Sequence, residues 1–104
     1  MPELGYTYIL YGKSKKEYRF RSYPISEIPS LTNCIYIFVN YKEHMNNATF
    51  GKKLAIGQIG NIPLTSLEIP NKANYVCVLE ITSEEERIQI IEDLRNNPLF
   101  KCSE

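Results

Sequence analysis

The sequence predicts an α+β domain: a small antiparallel sheet of three core strands plus an N-terminal hairpin, packed with a C-terminal helix and one or two short helices. Three observations predict it. Residues 34–40, Cys-Ile-Tyr-Ile-Phe-Val-Asn, are almost purely β-branched and aromatic, which suits a strand buried on both faces. Residues 53–59 and 75–79 are two more short apolar runs, the first stopped by Gly57 and Gly60. Near the C-terminus, Ser83 and Glu86 make the S-x-x-E box that opens a helix, with Ile90, Ile91 and Leu94 on one face behind it.

The elements follow in order. Residues 6–11 read as a strand, 12–16 as a polar turn, and 17–23 as an alternating strand. Tyr18 and Phe20 lie on one face of the latter, Glu17, Arg19 and Arg21 on the other, which is the pattern of a half-buried hairpin. Residues 24–33, punctuated by Pro24 and Pro29, form a connection with room for a single turn of helix. After the first core strand, residues 41–52 read as a polar loop joining two antiparallel strands, and the lone histidine, His44, lies in it. Asn61 is placed to cap a short helix with Pro63 in its first turn, Leu64 and Leu67 facing inward, and Pro70 as its stop. Such a helix has at most about two turns of 3.6 residues. The main helix starts after Thr82 or Ser83, with Glu84, Glu85 and Glu86 at the positive end of its dipole. Arg87 falls in the middle of its apolar face, an odd place for a charge. Glu92 sits on the flank, and Pro98 stops the helix, leaving Leu99 and Phe100 to tuck the tail back.

The 104 residues are enough for one domain with one modest core. No apolar run reaches membrane-spanning length, so no membrane partner is expected. The first five residues, Met-Pro-Glu-Leu-Gly, lack the basic start and apolar centre of a signal peptide, so the expected compartment is cytoplasmic. Cys34, Cys77 and Cys102 are widely spaced, and two sit inside strand patterns. They read as buried free thiols, since no close cysteine pair anchors a zinc site with His44. Net charge is zero, but residues 1–60 carry eight Lys and Arg against four acids, and residues 61–104 reverse the balance. A dedicated duplex-binding domain would be basic overall. Nucleic-acid contact must therefore use a local patch, for which the candidates are Lys13, Lys15, Lys16, Arg19 and Arg21; otherwise the partner is a protein. The bland alternative for that patch is a solvated outer strand face with lysines guarding an edge.

In order and spacing the chain resembles the GIY-YIG nuclease superfamily over residues 34–101, with 6–23 as an N-terminal hairpin extension of a single domain spanning 1–104. Cys34-Ile35-Tyr36 stands where the family has Gly-Ile-Tyr, and Ala55-Ile56-Gly57-Gln58 where it has Tyr-Ile-Gly-Gln. Asn61-Ile62 matches the start of the family's first helix. Residues 87–94 look like the helix bearing the metal-binding glutamate, with Pro98 after it.

The resemblance implies single-metal phosphodiester hydrolysis, in which a glutamate holds the cation, a tyrosine positions water and an arginine clamps phosphate. Tyr36 matches the first tyrosine and Glu92 the metal ligand, with Arg87 as a substitute cation. The departures are a second tyrosine replaced by Ala55, a family arginine falling on Thr65, and a terminal asparagine falling near Lys101 or Cys102. The expectation is therefore a degenerate domain that requires no cofactor and binds a protein or a nucleic acid. The alternative is a divergent Mg2+- or Mn2+-dependent endonuclease using Glu92 and Tyr36. The tyrosine-rich first strand also offers an edge for a homodimer.

Overall fold

The computed structural model describes the backbone of residues 6–42 and 50–102, and side chains over 7–40 and 52–102. His44 and the centre of the expected 41–52 loop lie outside the described residues. The described residues form five strands: β1 (Tyr6–Tyr11), β2 (Glu17–Pro24), β3 (Cys34–Lys42), β4 (Phe50–Ile59) and β5 (Tyr75–Glu80). They form one antiparallel sheet in the order β1-β2-β5-β3-β4, and one helix, α1 (Glu84–Arg95), follows. The N-terminal hairpin is thus no appendage: β2 pairs along β5 and extends the sheet.

Strict alternation along β3 divides the interior. Ile35, Ile37 and Val39 point to the face covered by α1, where they meet Phe20, Ile56, Cys77, Ile90 and Leu94. Cys34 and Phe38 point to the other face, with Ile59, Leu64, Val76 and Val78. That face is roofed by connecting segments instead of a second α-helix: the 24–33 connection, with the expected helical turn present as a 3-10 turn at Ile25–Glu27, lays Ile25, Ile28 and Leu31 on it, and Leu67 joins them. Because β3 is buried on both sides, its run is continuously apolar, as expected of a central strand.

The helix behaves as its sequence implies: the Ser83 hydroxyl accepts the Glu86 N–H at 3.2 Å and so satisfies one of the free donors of the first turn. Three expectations need correction. The short helix after β4 is only a 3-10 turn, Leu64–Ser66. Pro63 at ψ 149° precedes it and Leu67 at ψ 151° ends it, so extended backbone on both sides denies the chain a second turn, and Asn61 caps nothing. β3 and β4 each extend into the expected loop, because residues 40–42 keep pairing with 50–52 beyond a bulge at Phe38/Val39. Finally, Phe100 packs on the helix-side core but Leu99 is 84% exposed.

Candidate functional site

The strand registers place five residues in one cross-strand row: Thr7 opposite Arg21, Arg21 opposite Val78, Val78 opposite Tyr36, and Tyr36 opposite Gly57. Residues directly opposite in antiparallel strands point to the same face. The row therefore lies on the loop-roofed face and links the tyrosine of the first motif to the glycine of the second. Tyr36 is half-buried, and its ring is tilted against Phe38 at a centroid distance of 5.4 Å. A Cβ at Gly57 would lie 2.5 Å from the Tyr36 hydroxyl oxygen, so the glycine is the space in which that hydroxyl sits. Ala55, where the resemblance expects a second tyrosine, is opposite Phe38 in the same cluster. Thr65 is exposed in the 3-10 turn.

Arg87 is 3% exposed. Its Nε donates to Gln58 Oε1 at 2.6 Å, and its Nη1 donates to the carbonyls of Ile81 at 2.8 Å and Thr82 at 3.0 Å. The buried guanidinium is held by neutral acceptors and ties the last residue of the Ala-Ile-Gly-Gln motif to the start of α1. Hydrogen bonding is what allows a buried charge on the apolar face: the stem packs inward while the fork finds one side-chain oxygen and two carbonyls. Near it, burial pushes the Cys34 thiol up to about 11, with Glu80 adding to the shift and Arg87 opposing it. Cys34 is therefore a protonated thiol at neutral pH and a poor nucleophile.

Glu92 is exposed on α1. The apolar residues of that helix, Ile90 and Leu94, pack on the face of the sheet opposite Tyr36. The structure thus joins Tyr36 to Gly57 and Arg87 to Gln58, and it sets Tyr36 and Glu92 on different layers. Among the described residues, no three His, Cys, Asp or Glu side chains gather to hold an ion. The donor set beside Glu92 does not fit a divalent cation well, because the adjacent carboxylate is already engaged. Asp93 accepts the Ser14 backbone N–H at 2.9 Å, the Ser14 hydroxyl at 2.5 Å and the Tyr18 hydroxyl at 2.7 Å.

Sequence reasoning missed Asp93. Its carboxylate fills the space a Cβ at Gly12 would need, so the β1–β2 turn wraps around it. The Asp93 carbonyl also accepts the Lys13 N–H at 2.9 Å, and Asn97 donates to the Tyr11 carbonyl at 2.8 Å. Donors from Ser14 and Tyr18 hold the Asp93 carboxyl below the usual range. Burial and then the bond to Asp93 push Tyr18 up to about 12. Gly12 and Ser14 in a polar turn were the only hint, since the partner lies 79 residues away from Ser14.

The basic patch divides in two. Lys13, Lys15 and Lys16 are exposed at the hairpin tip, where Lys15 takes the left-handed position at φ 74°. Arg19 and Arg21 stand on the loop-roofed face, and Arg19 Nε pairs with Glu17 Oε2 at 2.5 Å. Beside them an open groove of about 390 Å³ is lined by Thr7, Arg19, Arg21, Tyr23, Leu31, Val78 and Glu80, among others. No helix among the described residues is long and apolar enough to cross a membrane. No protein-family model, curated protein or solved structure matches the chain.

Proposed function

We propose that the chain is a degenerate GIY-YIG-like domain that no longer cuts phosphodiesters and acts as a binding module for a protein or a nucleic acid. In favour of the kinship stands the pairing of the two motif strands, with Ile35 opposite Gln58 and Ile37 opposite Ile56, flanked by β5 and followed by the helix with Glu92. The observation that carries the loss of catalysis is the separation of the residual groups. Tyr36 stands under the loop roof, Glu92 is on the helix layer, and Arg87 is spent on a side-chain amide and two carbonyls. Removing one preorganised charge donor costs about 10²–10³ in rate, and here both the arginine and the second tyrosine are replaced. A cytoplasmic location and a homodimer through β1 are further parts of the proposal, checked by fractionation and sedimentation.

The test is incubation of the purified protein with plasmid and with single-stranded DNA in Mg2+ or Mn2+, beside Glu92→Gln. The expected outcome is equal, background-level product from both proteins. Metal-dependent cleavage that Glu92→Gln abolishes would instead establish the endonuclease.

A further inference from the structure

Resting on the binding-module proposal and deepening it, we infer that the groove between β2 and the loop roof is a docking site for an acidic peptide segment of a protein partner. The groove lies along the N-terminal hairpin and β5, outside the two motif strands, and the row that holds Tyr36 meets it at Val78. Its wall offers three hydrogen-bonding groups with no partner among the described residues: the Arg21 guanidinium and the hydroxyls of Thr7 and Tyr23. Arg21 is exposed, and its fork suits a carboxylate taken by two parallel bonds. The floor is apolar, with Val78 buried and Leu31 half-buried, so a side chain flanking the carboxylate gains cover as well. About 390 Å³ holds a few peptide residues.

Charge selects among anions. Along β2 the outer face runs Glu17, Arg19, Arg21, and Arg19 is already neutralised by Glu17. Glu80 lines the same groove. A chain of phosphates following the strand would meet an acid at Glu80 and another at Glu17, with Arg21 as the one cation in between that has no ion pair among the described residues. A peptide that presents one carboxylate at Arg21 and an apolar residue over Val78 meets neither repulsion.

The test uses the full chain and three labelled probes: a ten-residue Gly-Ser peptide with one Glu-Leu pair at its centre, the same peptide with Gln for Glu, and a ten-nucleotide thymidine strand. Binding is read by anisotropy, and the site by amide shifts of Thr7, Arg21, Tyr23 and Val78. The Glu peptide is expected to move those amides and to bind at least tenfold tighter than the Gln peptide or the nucleotide strand. Arg21→Gln is expected to weaken it about tenfold. Glu80→Gln is expected to tighten it severalfold, a gain that misfolding cannot imitate. Three results would overturn the inference: no shift of those amides, tighter binding of the nucleotide strand, or a Glu80→Gln variant that binds no better. The DNA-cleavage comparison with Glu92→Gln uses other residues and another readout, so failure here is distinct from failure of the non-catalytic proposal.

Discussion

Arg87 shows how one side chain can look catalytic in sequence and be architectural in space. A cation on the apolar face of a helix invites a role at a phosphate, yet its Nε and Nη1 supply hydrogen bonds to Gln58, Ile81 and Thr82. Replacing it by Met keeps the apolar stem and removes the donors. A buried acceptor left unsatisfied costs about 1–3 kcal/mol, but Gln58 and Ile81 are half-buried and Thr82 is exposed, so water takes over part of the loss and Arg87→Met is expected to cost roughly 1–3 kcal/mol in urea unfolding. Arg87→Lys recovers only part of that, because one ammonium cannot serve both a side-chain oxygen and two carbonyls from the positions of Nε and Nη1. The oddity of Arg87 was legible in the pattern; its partners were not, because two are carbonyls of the link between β5 and the helix and one lies 29 residues away.

At the scale of elements, the contact that unites the hairpin with the helix is Asp93 in the loop of donors at 12–18. Its carboxyl pKa is depressed in the folded state, first by Ser14 and then by Tyr18. A depressed carboxylate contributes stability above its unfolded pKa, near 3.8, and loses that contribution as pH falls through the lower folded value. Asp93→Asn is therefore expected to be less stable than the natural chain at pH 7, with the gap closing below about pH 4, as measured by thermal unfolding across pH. The same substitution should bring Tyr18 ionisation down from about 12 toward 10, read by tyrosinate absorbance. A polar turn and a helix were both visible in the sequence. Their mutual fit was not, because pairing over such a distance leaves no local spacing to read.

For the whole molecule, the sheet order puts β1 and β4 at opposite edges, yet side chains from both meet on the helix side. Lys53 of β4 has its Nζ 5.9 Å from the Tyr8 ring of β1 and 5.2 Å from the Phe100 ring of the tail. The sheet curls until one lysine is shared between its two edges, and a bridge between Lys53 and Cys102 lays the tail along β4. Burial lowers the Lys53 pKa, while the ring faces favour its charge. Phe100→Ala removes one of those faces together with its apolar cover, and is expected to cost roughly 1–3 kcal/mol. Hydrogen exchange should then speed up at residues 52–54 and at the tail before it does at β5, which a change in global stability alone would not produce.

What the sequence by itself determined is the set of elements. Alternation gave the hairpin, the doubly apolar run gave the central strand, and Ser83 with three glutamates gave the helix start, because these are local signals with a period of 2.0 or 3.6 residues. Only the tertiary structure decided that β5 sits between β2 and β3, that Tyr36 and Glu92 occupy different layers, and that Arg21 rather than the hairpin lysines borders a groove. Those outcomes depend on which strand edges meet and which face each side chain takes, and the free energy deciding them is the burial of apolar surface summed over residues far apart in the chain.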